Sequence, residues 1–157
     1  MNLILRSSVF VLFSSLMLSC GGSHDVEGPE VQVDGGWARA MPLIQEEGGA
    51  PMNSAVYLLL RNRGVSAHRL VGAETDAAER VEIHESRLVD DVMRMNEIDG
   101  VDVPPGGTVE LRPGGIHLML LGLTRALVDG DEIHLTLQFE SLGELSVSVP
   151  VQLSGSG

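Results

Sequence analysis

Two histidines and two methionines, His84, Met95, His117 and Met119, stand in the pattern His-x10-Met-x21-His-x-Met. Imidazole nitrogen and thioether sulfur together form a soft, uncharged donor set. Thioethers favour Cu(I), and imidazole suits several metals, so four such donors meeting at one ion point to copper in its reduced state. Thioethers do not protonate in the physiological range, and they cannot form disulfides, although they can oxidise to sulfoxides. Outside the cytoplasm, where paired thiols tend to become disulfides, such a set would hold Cu(I) and still release it to a cysteine-bearing acceptor. A blue-copper electron-transfer site is disfavoured because it requires a cysteine ligand within the domain, and the single cysteine is Cys20.

Whether the four side chains meet depends on the elements that carry them. From about residue 30 the chain reads as β-structure. The segments EVQVDGGWAR, SAVYLLLRN, HRLVGAET, RVEIHESRL, VMRMNEI, TVELRP, IHLMLLGL, DEIHLTLQF and ELSVSVPVQL show period-two alternation or short apolar runs. Gly, Pro, Asn or Asp clusters separate most of them. No amphipathic helix is apparent, and short strands at this spacing predict an all-β antiparallel sandwich or barrel. Alternation places Ile116, Leu118 and Leu120 on one face and His117, Met119 and Leu121 on the other. Residues two apart on a strand are separated by about 6.6–6.8 Å, so His117 and Met119 can converge on one ion. His84 and Met95 lie on neighbouring segments. A hairpin centred at Val89-Asp90 would set them directly opposite each other, with Cβ atoms ~4.5–5.5 Å apart.

Alone, each residue is weak evidence. A methionine on a strand is ordinarily core filler, and a strand histidine is more often structural than a ligand. The i, i+2 pair His117 and Met119 is harder to dismiss, because Ile116, Leu118 and Leu120 already supply the core stripe. Met93 shares a face with Met95 and is a candidate auxiliary thioether; Met41 and Met52 flank a loop that could drape over the site. His134 reads as a solvent-facing strand residue, His68 as surface, and His24 as part of a tether. No Ser-His-Asp set, paired-carboxylate motif or phosphate loop stands out, so an enzyme is not expected.

Composition sets further bounds. The 157 residues suit one domain, large enough to fold without disulfides or a structural metal. Acidic residues outnumber basic ones 22 to 10, giving a net charge of −12, and every basic residue is arginine. Nothing supplies a phosphate-neutralising patch, so nucleic acid is not an expected partner. At the N-terminus, Arg6 precedes the apolar run SSVFVLFSSLMLS. That run is too short to span a bilayer and has the length of a signal-peptide core. It ends at Leu18-Ser19-Cys20 and resembles a bacterial lipoprotein signal, in which the cysteine is lipidated and becomes the mature N-terminus. Ordinary cleavage with release into the periplasm is the alternative. If the cell has two membranes, Gly21 after the cysteine implies the outer one. The expected organisation is a signal peptide at 1–19, a lipid-anchored tether at 20–29, a β-sandwich domain at 30–153 and a flexible tail at 154–157.

The chain resembles the PCuAC family of periplasmic copper chaperones. The resemblance rests on the four spaced residues and on Val81-Glu82-Ile83-His84-Glu85, Val92-Met93-Arg94-Met95 and Pro113-Gly114-Gly115-Ile116-His117-Leu118-Met119-Leu120. It extends from Trp37-Ala38-Arg39 to Val149-Pro150-Val151. It implies an antiparallel cupredoxin-like, Ig-like Greek-key β-sandwich that binds Cu(I) through His84, Met95, His117 and Met119. It also implies delivery to the binuclear copper centre of cytochrome c oxidase, with the oxidase copper-binding subunit and Sco-type proteins as partners. Two departures stand out. Some members have Met after the first histidine, where this chain has Glu85, and some carry a His- and Met-rich tail, where this chain ends LSGSG. The competing expectation is a metal-free envelope domain used for adhesion or assembly.

Overall fold

A computed structural model describes residues 30–42 and 52–154. The expected signal peptide, Cys20 and the expected tether lie outside the described residues. No helix occurs among those described. Ten strands follow one another: β1 (Val31–Arg39), β2 (Ser54–Asn62), β3 (His68–Glu74), β4 (Ala78–Val89), β5 (Val92–Glu97), β6 (Val101–Val103), β7 (Thr108–Leu111), β8 (Ile116–Leu123), β9 (Glu132–Phe139) and β10 (Gly143–Gln152). Every segment expected from alternation forms a strand. The one missed is β6, whose three residues are too few to show a period.

Hydrogen bonding runs β5-β4-β8-β2-β1-β10-β9-β3-β6, with β7 also on β2. The ladder divides into a β5-β4-β8-β2-β1 layer and a β10-β9-β3-β6 layer. They join where β1 pairs with β10 through Ala38–Val151 and Arg39–Gln152. That pair is parallel; all the others are antiparallel. The core lies between the layers. Leu58, Leu60, Leu118 and Leu120 come from the first, Leu70, Ile133, Leu135 and Leu137 from the second, and all are essentially inaccessible. Apolar burial of this kind contributes about 1.5–3 kcal/mol per large side chain.

Three local features shape the outer face of the first layer. The register of β1 on β2 shifts between Val33 and Gly36, a bulge in which Gly35 takes φ 94°. One extra residue reverses which side each later residue faces. Before the bulge Val31 and Val33 pair with Asn62 and Leu60; after it Gly36 and Ala38 pair with Leu58 and Val56. Trp37 and Arg39 are therefore turned outward. Only glycine fits at position 36, where a Cβ would lie 2.8 Å from the Tyr57 carbonyl oxygen.

Residues 112–115 form the second feature, a turn between β7 and β8 closed by Gly115 N–H donating to the Arg112 carbonyl at 3.1 Å.

The third is the β4–β5 hairpin, and it corrects the expected register. Its turn is Asp90-Asp91, both residues left-handed at φ 51° and 58°, not Val89-Asp90. His84 therefore faces Glu97, and Met95 faces Ser86. The cause is steric: a β-branched residue strongly resists positive φ, whereas aspartate tolerates it. Val89 instead pairs with Val92.

His68 also departs from expectation. It is buried, with Nε2 2.6 Å from Glu30 Oε2 and Nδ1 3.2 Å from Ser141 Oγ. It shares the inward side of β3 with Leu70, and these two partners satisfy its ring. His134 is exposed, as expected, 2.6 Å from Ser148 Oγ.

Candidate metal centre

Ladder registers put His84, Met95, His117 and Met119 on one face. On β4 and β8, His84 lies directly across from His117, and Glu82 across from Met119. Ala55 of β2 faces Met119 on its other side. Met95 faces Ser86, two residues from His84 on the same side of β4. Because the hairpin correction moves each partner by two residues, Met95 keeps the predicted face. It is diagonal to His84 rather than opposite, a separation of ~7–8 Å between backbones.

This outer face is recessed. Tyr57, Ser86, Met93, Met95, His117 and Met119 line a cleft of about 330 Å³, with Arg39, Met41 and the Pro113-Gly114 turn at its walls. His84 is not in that lining; it lies against His117, ring centroids 6.0 Å apart at 59°. An imidazole nitrogen binds metal at ~2.0–2.1 Å, so two rings sharing one ion have centroids no more than about 6 Å apart. The observed pair is at that limit. Met93 and Met41 join the cleft, whereas Met52 does not; its carbonyl accepts the Leu123 N–H at 2.9 Å.

Exposure grades the four donors. His117 is 3 % exposed and Met95 50 %. The His117 ring is fixed by Nδ1–H donation to the Gly115 carbonyl at 3.0 Å, which leaves Nε2 as its lone-pair nitrogen. His84 is fixed in the opposite sense, with Nε2 2.8 Å from Glu82 Oε2. Its Nδ1 is buried and has no hydrogen-bond partner among the described residues. A buried polar atom without a partner costs about 1–3 kcal/mol. A metal ion at Nδ1 would remove that cost, so the residues fit a copper ion. The described residues contain no cluster of three or more His, Cys, Asp or Glu suited to a metal. The soft donors that the cleft adds beside the His117 imidazole are the thioethers of Met41, Met93, Met95 and Met119.

Sequence reasoning missed the surroundings of these donors. Trp37 packs on Tyr57 with centroids 4.6 Å apart, and Tyr57 lies 6.2 Å from the His117 ring. Burial pushes the Tyr57 hydroxyl up from its ordinary value, partly offset by the positive charge of Arg39. Nothing in the alternation of β1 announces this wall, because the bulge inverts it. Glu82 was missed as well, although Arg80-x-Glu82-x-His84 places three ionisable groups on one side of a strand, a signal that could have found it. The hydrogen bond from His84 holds the Glu82 carboxyl below the usual carboxylate range, with Arg80 adding to the effect and partial desolvation opposing it.

Comparison with known proteins agrees with this fold. The family model "Putative lipoprotein LpqE-like" matches residues 31–151. The protein "Putative lipoprotein Lxx21020" of Leifsonia xyli subsp. xyli is 34% identical over 123 residues, 78% of this chain and 69% of its own length. Among solved structures, the copper-bound PCuAC domain from PmoF2 aligns with a TM-score of 0.62 at 24% identity, covering 80% of this chain and 94% of that one. The solution structure of CuI-DR1885 from Deinococcus radiodurans aligns at 0.58 with 27% identity, covering 76% of each chain. The fold is that of PCuAC domains, a two-layer β-sandwich.

Proposed function

The chain belongs to the LpqE-like lipoprotein family, and we propose that it is an exported copper chaperone holding one Cu(I) through His84, Met95, His117 and Met119. The observation that carries this reading is the buried, unpartnered Nδ1 of His84 beside His117, on the face that also bears both thioethers. A metal-free adhesion or assembly domain gives that atom no role. Copper bound in a PCuAC domain of this fold, and Cu(I) in the Deinococcus protein, support the choice of metal.

The graded exposure suggests how cargo is handed on. Met95 is half exposed on an edge hairpin, while His117 is buried. An acceptor thiolate would displace the Met95 sulfur first, and the copper would leave its buried imidazoles last. Thiolates bind Cu(I) more tightly than thioethers do, so transfer runs downhill to a cysteine-bearing acceptor. The binuclear copper centre of cytochrome c oxidase, served with Sco-type proteins, is the acceptor proposed here. Lipidation at Cys20, supported by the family, would hold the domain at the envelope, on the outer membrane where there are two membranes. No catalysis is assigned.

Competition for Cu(I) against a chromophoric chelator tests the assignment. Met119→Leu keeps volume nearly unchanged and should weaken Cu(I) at least tenfold. Met95→Leu combined with Met119→Leu should leave a two-histidine site that prefers Cu(II) or Zn(II). Equal Cu(I) affinity across wild type and both variants would remove the basis for a copper carrier.

A further inference from the structure

Glu82 sits between two partners on one side of β4. Its Oε1 accepts from Arg80 Nε at 2.7 Å, and its Oε2 lies 2.8 Å from His84 Nε2. The Glu82 and His84 side chains are only 17% and 15% exposed. A carboxylate paired with a guanidinium only accepts hydrogen bonds, so the proton of that contact belongs to Nε2. A neutral imidazole carries one N–H, which leaves the lone pair on Nδ1, the buried atom without a partner. His117 is set the other way, with Nδ1–H on the Gly115 carbonyl and its lone pair on Nε2.

We infer that Glu82 is the positioning residue of the centre: it fixes His84 as the Nε2–H tautomer, so that His84 binds copper through Nδ1 while His117 binds through Nε2. The inference rests on the copper-carrier reading for its consequence, but the tautomer is a property of the metal-free protein. A carboxylate behind a metal-binding imidazole locks the ring and raises the basicity of the opposite nitrogen. Arg80 occupies the second carboxylate oxygen, which keeps that hard donor from binding the ion itself. The ion then meets only soft or neutral ligands, the condition under which Cu(I) is preferred to harder metals.

The test uses the full chain in detergent, labelled with 15N-histidine, metal-free, at a pH where its imidazoles are neutral. Two-bond 1H–15N spectra separate the tautomers, and His84→Gln assigns the His84 signals. The expected result is Nε2–H for His84 and Nδ1–H for His117. Glu82→Leu should turn His84 into a mixture of tautomers and weaken Cu(I) by about 10–100-fold. Glu82→Gln has one amide oxygen where two donors meet. Arg80 can only donate and takes it, so the amide NH2 faces His84 Nε2 and should favour the Nδ1–H tautomer, weakening Cu(I) as Glu82→Leu does. Nδ1–H at His84 in the wild type would overturn the inference, as would Glu82→Leu with unchanged tautomer and affinity. If Glu82→Leu fails to fold, the wild-type tautomer and the Glu82→Gln affinity still decide it. A wild type showing the expected tautomer but taking up no Cu(I) would sink the copper reading and leave the hydrogen-bond assignment standing.

Discussion

Tyr57 joins the donor set to the rest of the sheet. It touches the His117 ring on one side and Trp37 on the other, and it is the single tyrosine of the chain. Its hydroxyl titrates above the ordinary value of 10.0 because burial disfavours the phenolate, while Arg39 pulls the other way. The sign of the linkage follows. Below pH 10 both folded and unfolded chains hold the proton, and the contribution to stability is complete. As pH rises through the unfolded value, the unfolded chain ionises first, and stability falls until the folded pKa is passed. Phenolate absorbance against pH reads this group alone in the native protein. The midpoint is expected above 10, and Arg39→Gln should move it higher still by removing the opposing charge. An Arg39→Gln midpoint at or below that of the wild type would show that the guanidinium does not act on Tyr57. The shared face of His84, Met95, His117 and Met119 was readable from sequence, because it follows from strand alternation. Residues that act through burial, such as Tyr57 and Trp37, were not, because an aromatic residue on an outward face carries no sign in sequence that the face is recessed.

At the level of elements, the β4–β5 hairpin shows where pattern reading stops. Face and neighbourhood of Met95 followed from alternation; its register did not. Register in a hairpin is fixed by turn type, and Val89-Asp90-Asp91-Val92 permits more than one centre until φ preferences are weighed. With Asp90 and Asp91 both at positive φ, the turn has the sign of type I′, for which Asn-Gly is favoured. The double change Asp90→Asn and Asp91→Gly should stabilise the domain by about 0.5–1 kcal/mol; it relieves left-handed strain and removes two adjacent like charges. Thermal denaturation should show a rise of a few degrees, with Cu(I) affinity unchanged because the register stays the same. A lowered midpoint would mean that the aspartates make contacts that matter more than their backbone strain. The bulge in β1 is the complementary case. Gly35-Gly36 signals some irregularity in sequence, but only the ladder reveals that it turns Trp37 and Arg39 to the outer face, where Arg39 lines the cleft.

For the whole molecule, the all-β class and the two-layer core were legible because inward residues recur with period two along nearly every strand. Strand order was not legible, since no local pattern says that the first strand joins the last. β1 is an interior strand, bonded to β2 on one side and to β10 on the other. Removing β10 would leave both β1 and β9 with bare edges and would strip Val149 and Val151 from the core. A chain ending before Gly143 should therefore lose its cooperative thermal transition; a sharp melting curve from that truncation would show that the two layers hold together without their seam. The same seam has a consequence in time. Position 38 must wait for position 151 before the layers can close. At a synthesis rate of ~5–20 residues per second, that wait is on the order of ten seconds. Throughout it the nascent chain has no finished core to resist being drawn out straight. If the chain is exported as proposed, through a narrow channel before it folds, a partner strand delivered late acts as a clock, keeping the polypeptide threadable until that strand has been made.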